Sequence, residues 1–352
     1  DEILKVIDWR NEDYDIIYSH LPEQTLAISN LFKNSTNLDL PIIGYSHWFE
    51  VKENSNYSPT MLEQNLLGIS EMEECGVNSI WLKDFVIDTS IPLLSNSKQR
   101  DLKKIIQPHY LGIDDVSPDH EYEPKTILFN HRDNDYTGYS WFVEQMDKLY
   151  DKRQDFKVFT TLTTLDRPYA ERVKLSSREE YLNFVRKMHM GVGCFKTYSA
   201  WSISTTDGLS QGVPYVLPNK LCYPEMVGKK YPLLYDEIAF LSTIEYMLDN
   251  PQARDEANKY LKPLLPDFKW SGRVLKWFDN WTKLDNLKTI SKTESYDKIV
   301  KFIRRRKSVT KKEIIEHMGG WGLRIKWTPY RNRLRNEKDI RLTKNRYEVI
   351  EK

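Results

Sequence analysis

The sequence predicts an α/β protein of two parallel-sheet domains followed by a small basic domain. Three observations predict it. Short apolar runs alternate with helical periodicity from residue 14 onward, the alternation restarts after a loop rich in Asp, Pro and Glu at 114–124, and the charge changes sign near residue 285. Strands alternating with helices call for parallel neighbours joined by right-handed crossovers. At 352 residues the chain also exceeds the usual size of one compact domain.

The first domain is read as 1–116. Residues 14–19 form a strand and 25–32 a helix, then 41–46 a strand and 61–75 a helix. Residues 79–83 read as a third strand and 104–107 as a fourth. No glycine-rich strand-to-helix turn opens this domain, so it is short, reduced or lacking its first strands. The second domain, 117–284, runs strand 126–130, helix 141–150, strand 157–162, helix 178–188 and strand 190–194. It continues with helix 204–211, ended by Gly212, strand 213–217, helices 243–248 and 252–260, and a long amphipathic helix 270–281. Two such domains leave a cleft between the carboxyl ends of their strands, where ligands of these sheets bind.

Residues 285–352 carry 20 Lys and Arg against 9 Asp and Glu, a net of +11, whereas residues 1–284 carry 32 against 42, a net of −10. A reversal of that size marks a separate module with an anionic polymer as partner. Within 290–352 the pattern gives a helix at 296–305, a capping box at Thr310–Glu313 opening a second helix, and a third helix after Thr328–Pro329. A hairpin follows at 340–350. Arg331, Arg335 and Lys338 recur at i, i+4 and i+7 as a basic stripe, and Lys344 and Arg346 lie in the hairpin. Helix, helix, basic helix and β-wing resemble a winged-helix DNA-binding fold, which implies that these five residues meet nucleic acid. A solvated basic helix that binds protein is the plain alternative.

Two segments carry the chemistry. In DGLSQGVPYVLPNKLCYPE (207–225) a carboxylate lies in a helix that a glycine ends, and a strand runs into a Pro-Asn loop. In ILFNHRDNDYTGY (127–139) Asn130, His131 and Arg132 follow a strand. The first resembles the donor-site helix of retaining GT-B glycosyltransferases. Both together resemble the tRNA-queuosine mannosyltransferase branch over roughly residues 14–284. The resemblance implies a GT-B architecture of two Rossmann-like domains, with a UDP- or GDP-hexose as co-substrate and no metal.

By that resemblance Asp207 takes the place of the glutamate that binds the ribose, and Ser199 that of the glutamate that binds the donor sugar. Arg132 clamps the diphosphate and stabilises the leaving group. The donor site would hold Asn130, His131, Arg132, Ser199, Thr205, Thr206, Asp207 and Asn219, with hydroxyls of the 202–206 run offered to phosphate. A lysine usual in the family gives way to Thr137, and residues 172–175 would lie beside the base. His47, after the second strand, can orient or deprotonate an acceptor hydroxyl, and His20 has a similar place; packed histidines are the alternative. An ordinary capped βαβ unit is the alternative for the 207–225 segment.

The expected activity is therefore transfer of a hexose to a hydroxyl on a modified base in duplex DNA, with retention, by an enzyme of bacteriophage origin. The acceptor base would be flipped from the stack. A tRNA modified-nucleoside glycosyltransferase is one rival, and a nucleic-acid-binding regulator with an inactive core another. No run approaches eighteen apolar residues and no signal-peptide pattern opens the chain, so no membrane or protein partner is implied. Cys75, Cys194 and Cys222 lack any CxxC spacing and read as free buried thiols of a cytoplasmic protein (host cytoplasm if viral). P-loop, GxSxG and metal-ligand spacings are missing from the sequence.

Overall fold

The computed structural model describes residues 16–36, 40–47, 49–50, 57–113, 116–117, 120–270, 292–310, 313–314, 334, 337, 339–343 and 346–350. They fall into two compact units. The larger comprises Ser19–Thr25 and Ile43–Asn280, and the smaller Asp1–Tyr18, Leu26–Ile42 and Trp281–Lys352. Residues on both sides of the 116/117 boundary thus share one unit.

The chain begins with β1 (Ile17–Ser19), α1 (Pro22–Thr36), β2 (Ile42–Ser46), α2 (Pro59–Ser70) and β3 (Glu74–Val77). It continues with α3 (Ile80–Ser90), α4 (Asn96–Ile105) and β4 (Ile106–Pro108). The strands are ordered β1-β2-β3-β4, and β2, β3 and β4 pair in parallel, with Gly44 opposite Cys75 and Gly76 opposite Gln107. Residues 80–83, within the predicted third strand, are helical instead. Ser79 is an N-cap whose hydroxyl accepts from Leu82 N at 3.0 Å, and Leu82, Val86, Ile87 and Ser90 are buried at helical spacing. A run of three apolar residues cannot distinguish strand from helix, and the cap decides it. The neighbouring strand lies at 74–77, so the preceding helix ends at Ser70 and not at Cys75.

The second sheet collects β5 (Glu123–Phe129), β6 (Lys157–Thr160), β7 (Ala170–Arg172), β8 (Met188–Val192), β9 (Tyr215–Pro218) and β10 (Leu234–Tyr235). Between them run α5 (Tyr139–Lys152), α6 (Arg178–Val185), α7 (Ile203–Ser210) and α8 (Tyr223–Val227), with α9 (Phe240–Asp249) and α10 (Pro251–Leu261) after β10. The order is β10-β9-β8-β5-β6-β7, with every pair parallel. The chain winds outward from β5 through β6 to β7, then returns to wind the other way from β8. The switch between β5 and β8 is where ligands of such sheets bind. Strands β8 and β9 are buried along their whole length, as a sheet covered on both faces demands. Gly212, at φ 72°, ends α7 in the left-handed conformation that its place after the helix predicts.

In the smaller unit, α11 (Lys292–Arg306) precedes an antiparallel sheet of β11 (Ser308–Thr310), β13 (Arg346–Val349) and β12 (Ile340–Thr343) in that order. Ile299, Phe302, Ile303, Val309, Ile314, Leu334, Ile340 and Tyr347 are buried in its core. The predicted hairpin forms, and β11, which the sequence pattern did not disclose, pairs with its second strand. The capping box is reciprocal: Glu313 N donates to Thr310 Oγ1 at 3.2 Å and Thr310 N to Glu313 Oε2 at 2.7 Å. The long helix predicted at 270–281 and the third basic helix lie outside the described residues, apart from Trp270 and Leu334. Among the described residues no helix is long and apolar enough to cross a membrane, and all three cysteines are free and buried.

Candidate functional site

Three side chains follow β5, and the structure gives each a different task. Asn130 is fully buried. Its amide donates to Tyr181 Oη at 2.8 Å and to the Ser204 carbonyl at 2.9 Å, and its oxygen accepts from Tyr215 Oη at 3.1 Å. The predicted donor contact is therefore spent on bracing α7 against β5. His131 is also removed from solvent, edge-on to Phe129 and Phe195 with ring centroids 5.3 and 5.0 Å apart. Burial pushes its pKa down to about 4. It packs between these rings, and its buried Nε2 has no hydrogen-bond partner among the described residues.

Arg132 is the exposed member of the three, and its guanidinium makes no hydrogen bond or ion pair with a described residue. Its loop is closed from within. Thr137 Oγ1 lies 2.8 Å from the Arg132 carbonyl and 2.7 Å from that of Asn134, and is buried. Thr137, which stands where the resemblance expects a lysine, closes its own loop through this hydroxyl. Gly138 follows at φ 71°, and a Cβ there would come within 2.0 Å of the Cys194 carbonyl oxygen, so only glycine leads the loop into α5.

Helix α7 corrects several expectations. Ser202 is its N-cap, accepting from Thr205 N at 3.2 Å and from Thr205 Oγ1 at 2.8 Å. Thr206 Oγ1 donates to the carbonyls of Ser202 and Ile203, at 3.2 and 3.0 Å. Thr205 and Thr206 are buried, so their hydroxyls serve the helix and are not offered to phosphate. Ser199 is buried with its hydroxyl 3.5 Å from Cys222 Sγ. Asp207 is buried too, and Arg178 binds it as a fork, NH1 to Oδ2 at 2.7 Å and NH2 to Oδ1 at 2.6 Å. The expected ribose acceptor is thus an ion-pair partner. Sequence reading missed Arg178, which opens α6; its signal, a basic residue at the start of a helix where dipole logic disfavours it, was present.

Asn219 remains exposed after β9, its backbone N–H bonded to the Tyr235 carbonyl at 2.8 Å. It lines a cavity of about 180 Å³ together with Trp141, Phe195, Lys196, Lys220 and Tyr235. Lys196 lies over the Trp141 ring at 5.6 Å.

In the first sheet, His20 follows β1 and His47 follows β2, and their rings meet edge to face with centroids 4.4 Å apart. Partial burial, then the charge of His20, lowers the His47 pKa. A neutral imidazole at neutral pH can accept a proton from a hydroxyl. Asn78 holds the His47 carbonyl through its amide at 3.4 Å. Among the described residues no group of three His, Cys, Asp or Glu could hold a metal ion.

Of the five predicted nucleic-acid contacts, Arg331, Arg335, Lys338 and Lys344 lie outside the described residues. Arg346 is committed elsewhere. Its Nε donates to Ser308 Oγ at 2.9 Å, and NH2 donates to the Ser308 carbonyl at 3.2 Å and lies 3.7 Å from Glu313. It joins β11 to β13.

The buried histidines give a pH signature. His131 and His189 both have pKa values pushed down to about 4 from 6.5, by burial first and, for His189, also by Arg254. The unfolded chain therefore binds more protons than the folded one between those values. Stability is full above pH 6.5 and falls as pH drops through the window. Urea unfolding at pH 7.5, 6 and 5 should show this fall, with a shallower slope in His189→Gln. A flat profile would mean that these imidazoles are not held neutral.

The described fold is similar to solved glycosyltransferase structures. Sucrose-phosphate synthase from Thermosynechococcus elongatus matches with a TM-score of 0.62 at 12% identity, covering 77% of this chain and 74% of that one. S. aureus TarM, solved with Fondaparinux, alpha-GlcNAc-glycerol and UDP, matches at 0.59 and 10%, covering 79% and 57%. The GtfA/B complex matches at 0.57 and 9%, covering 74% and 56%. The chain thus spans little more than half the length of the last two. No protein-family model and no curated protein matches the sequence. At these identities the likeness is one of fold, and the fold of the two parallel-sheet domains is GT-B.

Proposed function

We propose that this chain transfers a hexose from a UDP- or GDP-sugar to a hydroxyl on a modified base in duplex DNA, with retention of configuration. The observation that carries the reading is Arg132, an exposed guanidinium at the carboxyl end of β5, beside the topological switch of a GT-B fold. A planar fork of donors suits a diphosphate, and its charge would stabilise the leaving group as the glycosidic bond breaks. The amino end of α7 faces the same sheet edge, since Ser204 in its first turn is bonded to Asn130, and its dipole favours the same anion. The departing phosphate can then take the acceptor proton on the face it leaves. His47 would orient the acceptor hydroxyl from the first domain. UDP is the first nucleotide to test, because TarM was solved with it.

The acceptor follows from charge. Residues 285–352 carry a net +11, and the described order of helix, strand, helix residues and hairpin supports a winged-helix reading. Incubation with UDP- and GDP-hexoses and hydroxymethylcytosine-containing duplex, followed by digestion and mass spectrometry of nucleosides, tests the whole reading. Sugar on the DNA nucleoside is expected. Sugar on tRNA alone would favour the second reading, supported by the Asn130–Arg132 and Pro218–Glu225 stretches and their likeness to queuosine mannosyltransferases. Failure to bind any nucleotide sugar would leave a nucleic-acid-binding regulator.

The basic stripe makes its own prediction. Replacing Arg331, Arg335 and Lys338 together by Ala should flatten the plot of log affinity for duplex against log salt by about 0.9 per lost phosphate contact. Arg346→Ala should instead destabilise the small sheet, because its guanidinium bonds Ser308. Filter binding across a salt series decides the matter; an unchanged slope in the triple variant removes the DNA-delivery role.

A further inference from the structure

We propose that Glu225 is a positioning residue, whose carboxylate docks the amino end of α3 onto the second domain and so holds His47 in register with the donor edge. The role of His47 in this statement rests on the transferase reading above. The contact itself does not.

Glu225 lies in the first turn of α8, beyond β9, and reaches a helix some 145 residues earlier in the chain. Ile80 N donates to its Oε1 at 2.7 Å and Trp81 N to its Oε2 at 3.1 Å. The first turn of any helix leaves N–H groups without intrahelical partners. In α3 the cap Ser79 satisfies Leu82 N, and Glu225 satisfies the two before it. Each carboxylate oxygen takes one N–H, so the contact fixes orientation as well as distance, and its charge opposes the positive end of the helix dipole.

A cluster of aromatic rings includes Trp81 itself. Trp81 stacks on Phe85 with centroids 5.2 Å apart, and Tyr198 of the second domain meets both edge-on at 5.5 and 5.7 Å. Tyr110 of the first domain also meets Trp201 of the second, at 5.1 Å. These rings shelter the part-buried Trp81 bond, whereas the Ile80 bond lies at the exposed edge of the contact. Just before the cap, buried Asn78 donates its amide to the His47 carbonyl at 3.4 Å. Glu225, the start of α3, Asn78 and His47 therefore form a continuous series of contacts from the donor domain to the acceptor-side imidazole. Glu225 touches no reacting atom in this scheme; it acts through α3.

The test uses the full chain with spin labels at Asp88→Cys and Lys230→Cys, both exposed positions, while the three native cysteines are buried. Pulsed electron resonance should give one narrow distance distribution in the labelled parent. Glu225→Ala should give a longer and broader one, and Glu225→Gln, which keeps one acceptor oxygen, an intermediate one. Circular dichroism checks that each variant is folded, and Glu225→Gln carries the test if Glu225→Ala is not. The ring resonances of His47 should shift in Glu225→Ala, whereas affinity for UDP by calorimetry should stay within about twofold, because the carboxylate is spent on the N–H groups of Ile80 and Trp81. An unchanged distance distribution in Glu225→Ala overturns the docking role. A changed distribution with unmoved His47 resonances overturns the link to His47. UDP that binds neither parent nor variant counts against the proposed function alone, since the distance measurement still decides the role of Glu225.

Discussion

Arg132→Ala is expected to reduce glycosyl transfer by about 30- to 1,000-fold while leaving the fold and the affinity for duplex DNA unchanged. The estimate is that of one charge-assisted donor to an anion that develops in the transition state, about 2–4 kcal/mol. The geometry makes the residue separable. Its guanidinium bonds no described neighbour, whereas the loop that carries it is held by Thr137 and by the turn at Gly138. Truncating the side chain should therefore remove a ligand contact and no packing. Arg132→Lys should recover part of the loss, because it restores charge without the planar fork. Single-turnover transfer with saturating donor, alongside thermal unfolding of both variants, is the measurement. Full activity in a folded Arg132→Ala protein would remove the donor-site assignment.

Arg178→Ala is expected to destabilise the protein by about 2–3 kcal/mol, and Asp207→Asn by only about 1 kcal/mol. The asymmetry comes from where each partner lies. The Asp207 side chain is 4% exposed and that of Arg178 52%. Removing the arginine strands a buried carboxylate of α7, whereas removing the carboxylate's charge leaves a guanidinium that is already half exposed. The fork also fixes α6 against α7, and Asn130 binds Tyr181 on the same helix, so the loss should spread to the sheet edge that carries Arg132. Urea unfolding of the two single variants and the double gives both the order and the coupling. Equal losses, or a larger one for Asp207→Asn, would contradict the burial argument. A donor KM that rises in a fully stable Asp207→Asn protein would restore the ribose contact expected from sequence.

Some features were legible because a local rule fixes them. Gly212 ends α7 because a left-handed residue is needed after the helix, and Thr310–Glu313 caps a helix through bonds that span three residues. The hairpin 340–349 follows from alternation about a short turn. Residues 79–83 misled because the apolar run Ile80–Leu82 satisfies strand and helix alike, and Ser79 at its head is a helix cap. The site was less legible than the fold. Asn130, His131, Thr205 and Thr206 sit in motifs that suggest ligand contact, yet each is buried against groups far away in the sequence or in its own helix.

The sequence by itself determined the alternation of strands and helices, the restart after 114–124, the charge reversal near 285 and the strand-end position of Arg132. Each depends on residue order and on interactions a few positions long. Only the tertiary structure decided which polar side chains remain for a ligand. Asp207 is claimed by Arg178, 29 positions away, and the amino end of α3 by Glu225, some 145 positions away. A buried carboxylate or amide must find partners wherever the fold supplies them, and no local pattern records which distant residue that is.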